Sequence, residues 1–470
     1  MSQESKLIKN TAIYSIGSLS SKILAYVMVL VYSRYIMPES MGYYDVVMTT
    51  ISLIYPVVTL ELVEGIYRFV IDPAGVKREV VIATSYKVIL INTLVTEGIF
   101  IIFAYFFQIK FLTAIVGYSV SYVFYEVTHT TIRAFAENKV YTVVGIANSF
   151  IILICEVVGV VILQGGIGAL WVSMAVANIA CSIYAMIKYR LMQILKDNKI
   201  DKNVFRALNN YSLPTVPSTI CWWVVNSCDR YIVLGFLGQL YNGIYAMAAK
   251  FPTILNVLTS GFYISWQESA IKEYNSDTRD AFFTRTYKSY CAILFSGCLV
   301  LIPATKIVIL YLMGSTYESA WMYTGGLFIG AVYSALSSFL GLGYQISKQT
   351  ERSLISTVLA AVINIVVNIG LVKLIGLHAA SISTAVAYFF LFIIRVIDTK
   401  RYFHIAYDWK TLVLLPGVSV LMSVLCILNG YWWIDFLLCF GAVIFSVVLN
   451  KEIIIILVNK IIGGVKKSFD

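Results

Sequence analysis

Charged side chains inside long apolar stretches are the residues of this sequence best able to do chemistry. An ionisable group in the hydrocarbon region of a bilayer costs at least about 2.5 to 3.5 kcal/mol, so it is expected to face a protein interior or a wet cavity. The sequence repeats this arrangement along much of its length. The charged residues within apolar stretches are Lys22, Arg34, Asp45, Glu61, Glu64, Arg68, Glu97, Glu126, Glu156, Asp229, Arg230, Lys250 and Lys306. They predict a membrane protein with a charged interior.

Basic residues of this set form the first candidate site. They are Lys22 and Arg34 in the first apolar stretch, Arg230 in the seventh and Lys250 in the eighth. Cationic side chains in a low-dielectric cavity bind phosphate or pyrophosphate, and an arginine can do so through two parallel hydrogen bonds. We therefore predict that these residues bind the pyrophosphate group of a substrate. The alternative, for Arg34 and also for Lys306, is snorkelling from a helix end toward water.

Acidic residues form the second candidate site. Glu61, Glu64 and Arg68 are spaced i, i+3 and i+7, which predicts one helix face on which Glu64 and Arg68 can pair. Together with Asp229, beside Arg230, they are interpreted as groups for ion coupling or gating. The alternative is a set of structural ion pairs near the ends of the helices.

Enzyme motifs and metal-binding patterns are missing from the sequence. The eight cysteines lie in apolar stretches without metal-ligand spacing, and the three histidines are scattered. There is no Walker A motif, glycine-rich nucleotide loop, GxSxG or HExxH in a credible context. We therefore expect no enzymatic activity, no metal and no cofactor.

Apolar blocks of membrane-spanning length must position these residues. Of the 470 residues, 59% are hydrophobic and 13% are charged, compared with roughly 25% charged in soluble domains. The net charge of +10 is spread over short loops, whereas nucleic-acid binding needs a basic face. The blocks are continuously apolar over about 20 to 27 residues, unlike the alternating strands of a membrane barrel. The prediction is an all-α polytopic membrane protein.

About fourteen spans are predicted from these blocks. Their ranges are 10–36, 42–68, 81–107, 111–133, 141–163, 166–187, 211–236, 242–266, 287–312, 320–346, 353–374, 378–397, 410–428 and 431–450. About 26 of the 35 Lys and Arg residues fall in loops on one side, while the other side holds essentially one, Lys110. Because basic loops stay in the cytoplasm, both termini and the long loop around Lys196 are predicted to be cytoplasmic.

Two six-helix lobes are predicted from the order of the spans. Residues 1–188 would form the first lobe, 189–208 a cytoplasmic linker, 209–400 the second lobe, and 401–470 two further spans and a tail. After Asn450 the tail reads as amphipathic and suited to an anionic membrane surface. A weak repeat supports the two lobes: Arg34-Tyr35-Ile36 is followed by Gly42, and Arg230-Tyr231-Ile232 by Gly243.

Four local motifs are distinctive: Arg34-Tyr35-Ile36-Met37-Pro38-Glu39-Ser40-Met41-Gly42-Tyr43-Tyr44, Tyr211-Ser212-Leu213-Pro214 with Pro217-Ser218, Asp229-Arg230-Tyr231, and Gly243-Ile244-Tyr245. With these motifs the sequence resembles the polysaccharide-repeat flippases of the Wzx type. The resemblance extends over the whole chain in length and span order. The motifs are partly shared with lipid II and teichuronic acid exporters of the same superfamily.

The resemblance implies a flippase with a cationic cavity between two lobes. Such a protein would move an undecaprenyl-pyrophosphate-linked oligosaccharide across the bacterial cytoplasmic membrane for capsule, O-antigen or exopolysaccharide synthesis. Its partners would be that glycan lipid, membrane lipids, and the polysaccharide polymerase and chain-length regulator, but no nucleic acid. The family's cavity residues carry over onto Arg34, Arg230 and Lys250, with Lys22 as an addition. A cation-coupled multidrug antiporter is the alternative, although it would favour acidic residues in its cavity.

Overall fold

The computed structural model describes residues 22–71, 76–274, 276–347, 349–451 and 455. Within these ranges the chain is helical and contains no strand, which confirms the all-α prediction. The helices are α1 Lys22–Tyr32, α2 Pro38–Thr59, α3 Leu62–Ile71, α4 Arg78–Phe106, α5 Leu112–Ala134, α6 Asn138–Glu156, α7 Gly166–Lys188, α8 Leu191–Asp197, α9 Lys202–Ser212, α10 Val216–Leu237, α11 Gln239–Lys250, α12 Thr253–Glu273, α13 Arg279–Leu312, α14 Thr324–Ile346, α15 Thr350–Ile375, α16 His378–Asp398, α17 Trp409–Leu428 and α18 Trp432–Leu449.

Nine helices of the described chain are long and apolar enough to cross a membrane, and two shorter apolar helices accompany them. Every predicted span coincides, over its described residues, with a helix or with a pair of helices, so the polytopic membrane fold is confirmed. Residues 10–21 of the first predicted span lie outside the described residues, as does the predicted amphipathic tail after Asn450 apart from residues 451 and 455.

Two compact units divide the chain, the first ending at Val224 and the second beginning at Val225. The boundary falls inside α10, and the segment predicted as a linker, 189–208, belongs to the first unit. There α8 and α9 pack into the core of that unit, because Leu191 and Leu208 are fully buried among side chains of α3 and α4. Asp201 caps α9 by accepting hydrogen bonds from the backbone amides of Asn203 and Val204.

The second predicted span is not a continuous helix. It consists of α2 and α3, separated at Leu60 and Glu61, whose φ angles of 49° and 52° are left-handed. Neither residue is glycine, so this backbone is strained. Just after the break, α3 packs closely on α9, because a Cβ on Gly65 in α3 would lie 2.8 Å from Ser212 Oγ in α9.

The eighth predicted span is also broken, and its cause is visible in the sequence. Helix α11 ends at Lys250 and α12 begins at Thr253. Pro252 has no amide hydrogen and its ring crowds the preceding turn, which favours a break in the helix at this point. The amide of Phe251 bonds to Ala248 O, three residues back, at 3.3 Å, which tightens the last turn of α11.

Candidate functional site

Asp229 and Arg230 on α10 form the charged centre of the second unit. Asp229 is 2% exposed. Its Oδ1 accepts hydrogen bonds from Arg230 Nη1 at 2.8 Å and from the Arg230 amide at 3.0 Å. The Tyr245 hydroxyl, from α11, donates to Asp229 Oδ2. The carboxylate is therefore fixed in place by three hydrogen bonds, and it orients the arginine beside it.

The Arg230 guanidinium is fixed by its surroundings on three sides. Its Nη1 also donates to Asn226 O at 2.8 Å, and its carbon lies 5.6 Å from the centre of the Tyr245 ring. The side chain is 15% exposed. An arginine anchored in this way keeps its planar fork of N–H groups in a defined direction, which suits recognition of an oxyanion.

A layer of uncharged polar groups surrounds this pair. Tyr388 on α16 donates to Asn226 Oδ1 at 2.5 Å. Cys228 donates to Asn364 Oδ1 on α15 at 3.4 Å, and Asn364 Nδ2 donates to Thr384 Oγ1 at 3.4 Å. Hydrogen bonds of this layer connect α10 with α15 and α16. A change in the hydrogen bonding of Asp229 can therefore be transmitted to both helices.

Asn368 extends this layer by one turn of α15. It is fully buried, and neither amide atom has a hydrogen-bond partner within the described part of the chain. A buried amide of this kind is normally satisfied by ordered water or an ion. Tyr245, Asn226, Asn364 and Asn368 were not predicted from the sequence. The spacing of the last two, i and i+4 in an apolar span, was the available signal.

Lys250, the last predicted cation of the second unit, ends α11 at the proline break. It is partly buried, and a lysine in the last turn is stabilised by the negative end of the helix dipole. Helix α11 thus carries both Tyr245, which bonds Asp229, and Lys250. The structure brings Asp229 and Arg230 into direct contact and places Lys250 on the neighbouring helix of the same unit.

In the first unit, the candidate acidic group lies at the break between α2 and α3. Glu61 occupies the break itself and is 9% exposed, while Glu64 and Arg68 lie exposed on α3. The prediction of one helix face was wrong for Glu61, because α3 begins only at Leu62. Thr219 on α10 lies close enough to interact with the Glu61 carboxyl, so this side chain has a polar neighbour from outside its own span.

Tyr55 links the acidic residues around this break. The carboxyl groups of Glu61, Glu64 and Glu126 are all close enough to interact electrostatically with its hydroxyl. Glu126 lies on α5, where its neighbours on the same helix have other contacts. Arg133 lies 4.4 Å from the centre of the Tyr67 ring, and His129 stacks on aromatic rings on both sides. Glu61, Glu64 and Glu126, which share Tyr55 as an electrostatic neighbour, are called the acidic cluster below.

Lys22 and Arg34 flank α1 in the same unit. Lys22 begins the described part of this helix and Arg34 follows its end, and both side chains are exposed. The amide of Arg34 bonds to Val31 O at 3.1 Å, so the residue lies in the turn that closes the helix. The predicted basic residues thus comprise two in each unit.

An apolar cavity of about 310 Å³ lies between α2, α4 and α5 of the first unit. Glu97 is the one carboxylate among the described residues of its lining, and it accepts a hydrogen bond from Ser119. The other carboxyl oxygen of Glu97 is buried without a partner in the described residues. Apolar walls with a single carboxylate suit a lipophilic ligand that carries one positive charge.

Comparisons with known proteins identify the fold. No protein-family model and no curated protein matches this chain. The structure of a lipid II flippase, MurJ, in an inward closed conformation is 14% identical with a TM-score of 0.67, and the match covers 94% of this chain and all of that one. An inward-facing multidrug resistance MATE family transporter of the MOP superfamily is 13% identical with a TM-score of 0.65 and matches over 83% of this chain and 98% of its own. A MATE structure in the straight conformation is 13% identical with a TM-score of 0.55, over 84% and 96%. At these identities the likeness is one of fold.

Proposed function

We propose that this chain is a flippase for a polyprenyl-pyrophosphate-linked oligosaccharide. The observation that carries the proposal is the Arg230 guanidinium, oriented by Asp229 at 2.8 Å inside a polar layer of an otherwise apolar helix bundle. This geometry suits an oxyanion on a lipid, and the basic residues Lys22, Arg34 and Lys250 add positive charge for it. The fold shared with a solved lipid II flippase over 94% of the chain supports the same class of substrate.

In the proposed mechanism, the substrate and Asp229 compete for Arg230. A pyrophosphate that binds the guanidinium withdraws hydrogen bonds from the Asp229 carboxylate. A buried carboxylate that loses its cation must bind a proton or another cation. Asn364 accepts a hydrogen bond from Cys228, the residue before Asp229, and Asn368 follows one turn along α15. Both offer amide oxygens for that purpose. Substrate binding and ion binding would then be coupled through one arginine.

Glu61, Glu64 and Arg68 are proposed to gate the first unit. A carboxylate at a helix break changes its hydrogen bonds whenever the two helix segments change their angle. Protonation of Glu61 or Glu64 would reduce repulsion within the acidic cluster around Tyr55. The break would thus respond to the ion gradient while the paired residues of the second unit bind the substrate.

The resemblance to Wzx-type flippases supports a role in making a cell-surface polysaccharide. The product would be capsule, O-antigen or exopolysaccharide, and the location would be the bacterial cytoplasmic membrane with both termini inside. The polymerase and the chain-length regulator would act on the flipped glycan. A lipid II or teichuronic acid exporter would use the same anion site, because those substrates also carry the glycan on a phosphorylated lipid.

A cation-coupled multidrug antiporter is the second candidate, favoured by the apolar cavity around Glu97. A lipophilic cation would bind there without needing Arg230. The MATE transporters match over 83% to 87% of this chain, and the lipid II flippase over 94%. The larger match and the excess of basic residues favour the flippase.

Deleting the gene and restoring it with variants tests the proposal. Cells without the protein should accumulate the lipid-linked glycan on the cytoplasmic leaflet and lack surface polysaccharide. Arg230→Ala and Arg34→Ala should not restore export, whereas Arg→Lys should restore it partly, because lysine cannot form the paired hydrogen bonds of arginine. Lys250→Arg should be tolerated.

The matched control is Glu97→Gln, which should export glycan normally if the substrate is anionic. Membrane expression of each variant is measured in parallel. Normal export by the alanine variants of Arg34, Arg230 and Lys250 would contradict the anion site. Loss of drug resistance only in Glu97→Gln would favour the antiporter.

A further inference from the structure

A cleft of about 550 Å³ opens where α13, α17 and α18 of the second unit meet at one end. Its wall includes the 3₁₀ segment Ser315–Tyr323 and the turn at Asn429 and Gly430. The basic-residue asymmetry predicts that this end faces outward, away from the cytoplasm. The volume falls within the roughly 300 to 1,000 Å³ of small-molecule sites.

The floor of the cleft is a buried ion pair. Lys306 Nζ lies 2.9 Å from Asp435 Oδ1, and both side chains are 4% exposed or less. The ammonium group also donates to Cys426 O at 2.7 Å and to Asn429 O at 3.0 Å. It lies 4.4 Å from the centre of the Trp321 ring. With these partners in place, Lys306 is a fixed structural cation, and the snorkelling alternative does not apply to it.

The turn between α17 and α18 is also rigid. Asn429 Nδ2 donates to Asp435 Oδ1 at 2.9 Å, and Asn429 Oδ1 accepts from the Tyr431 amide at 2.8 Å. The ion pair and this turn fix the start of α18 against α13. The rim of the cleft is therefore preorganised, which lowers the entropic cost of binding.

Two exposed aromatic rings stand at the rim. Tyr311 on α13 is 51% exposed and Trp432 on α18 is 63% exposed. Both are braced by Phe436, whose ring centre lies 6.5 Å from that of Tyr311 and 6.2 Å from that of Trp432. Aromatic faces held in this way bind the apolar C–H faces of sugar rings.

Polar groups complete the lining beside the rings. Ser315, Thr316, Glu318 and Ser319 supply hydroxyl and carboxyl groups, which pair with sugar hydroxyls as donors and acceptors. The ionised residues of the described lining are Lys306, Glu318 and Asp435, so the net charge is negative. A phosphate group would be repelled here, in contrast to the basic residues Arg230 and Lys250.

We propose that this cleft binds saccharide, namely the sugar end of the glycan lipid as it reaches the outer face. The proposal rests on the proposed flippase function and adds a second subsite to it. The pyrophosphate would bind Arg34 and Arg230, and the sugar would bind the cleft. The competing explanation is that Tyr311 and Trp432 are ordinary interfacial aromatics that anchor the helices in the membrane. Anchoring predicts no effect of saccharide on these rings.

The first experiment measures binding directly. The full chain is purified into lipid nanodiscs, and the probe is the oligosaccharide released by mild acid from polyprenyl lipids of the producing strain. Saturation-transfer NMR should show contact between protein and saccharide. Trp432→Ala and Tyr311→Ala should each weaken binding up to about tenfold, given the stacking energies of aromatic rings. Sodium pyrophosphate should not displace the saccharide.

Trp433→Ala is the matched control. Trp433 is adjacent to Trp432, is 49% exposed and lies outside the cleft lining, so membrane anchoring predicts the same loss for both tryptophans. Equal effects of the two substitutions, or no saturation transfer to the wild-type protein, would overturn the proposal.

Export assays separate the substrate from finished polysaccharide as the source of the sugar. If the substrate binds the cleft, Trp432→Ala and Tyr311→Ala should slow export while Trp433→Ala exports normally. Loss of binding with normal export would assign the cleft to external polysaccharide and overturn the link to the substrate. Failure of the proposed function would be seen separately, as a deletion strain that accumulates no glycan lipid.

Discussion

The two units hold their charged groups in different ways. In the second unit, Asp229 with Arg230 and Lys306 with Asp435 are ion pairs at 2.8 and 2.9 Å, each completed by hydrogen bonds from neighbouring groups. In the first unit, the carboxyl groups of Glu61, Glu64 and Glu126 interact electrostatically with Tyr55, and Glu61 lies at a strained helix break. The Lys306–Asp435 pair of the second unit is therefore held in place by several partners, whereas Glu61 of the first unit lies at strained backbone.

The two broken helices show the same contrast. The break before α12 coincides with Pro252, which lacks a backbone donor in every conformation of the unit. The break at Leu60 and Glu61 has no proline at its centre and requires left-handed backbone at two residues, at a cost on the order of 1 to 2 kcal/mol each. Packing of α3 on α9 must offset this strain. Joining α2 and α3 would relieve this strain, whereas a joined α11–α12 helix would lack the hydrogen bond that Pro252 cannot donate.

The largest expected effect on stability is at the buried pair of the second unit. Asp435→Ala leaves the Lys306 ammonium buried without its carboxylate and should destabilise the protein by about 3 to 5 kcal/mol. The double variant Lys306→Met with Asp435→Leu should recover most of that loss. Thermal unfolding in nanodiscs measures both. In the first unit, Glu64→Ala at an exposed position should change the free energy of unfolding by less than about 0.5 kcal/mol. A large loss of stability there would contradict the difference between the two units.

A smaller destabilisation is expected where α3 meets α9. Gly65→Ala adds a methyl group 2.8 Å from Ser212 Oγ and 2.9 Å from a Leu208 methyl group. Such overpacking should cost about 1 to 3 kcal/mol, because both neighbours are fully buried. Gly98→Ala on α4 is the control, since nothing lies near its Cβ position. Adding Ser212→Gly to Gly65→Ala should restore part of the stability, and no restoration would mean that the close contact is not the cause.

Much of the fold could be predicted from the sequence, because spans are local features of continuous apolar length. The adjacent residues Asp229 and Arg230 were recognised because they are charged residues inside one of these apolar stretches. Tyr245, which bonds Asp229, was missed because no periodicity connects a tyrosine on α11 with an acid on α10. The pairing of Lys306 with Asp435 joins residues far apart in sequence. The break at Glu61 was missed because it depends on contacts with α9, and left-handed backbone at leucine and glutamate has no sequence signal.

Leu60→Gly tests whether strain at the first break is real. Glycine adopts left-handed backbone without steric cost, so this change should stabilise the broken form by up to about 1 kcal/mol, less the packing lost with the leucine side chain. Leu60→Ala is the matched control, because it loses the same packing but keeps the strain. The difference between the two variants in thermal unfolding gives the effect of the backbone alone. Equal stability of the two would mean that the strained angle at Leu60 does not matter for folding.

The smallest effect on stability is expected for Glu61→Gln and Glu64→Gln, which keep size and shape and remove one negative charge. If the first unit responds to charge, these variants should fold normally but lose the dependence of glycan export on the ion gradient. The physical reason is that a neutral amide at the break cannot gain or lose a proton, so the repulsion around Tyr55 stays constant through the transport cycle.

The measurement compares export in energised cells with export after an uncoupler, at equal membrane expression. Asp398→Asn is the control in the second unit, since its carboxyl bonds Arg352 at 2.9 Å in a pair that is partly exposed and should leave gradient dependence unchanged. Normal gradient dependence in both glutamine variants would mean that the acidic cluster has only a structural role. Ion coupling would then be assigned to Asp229.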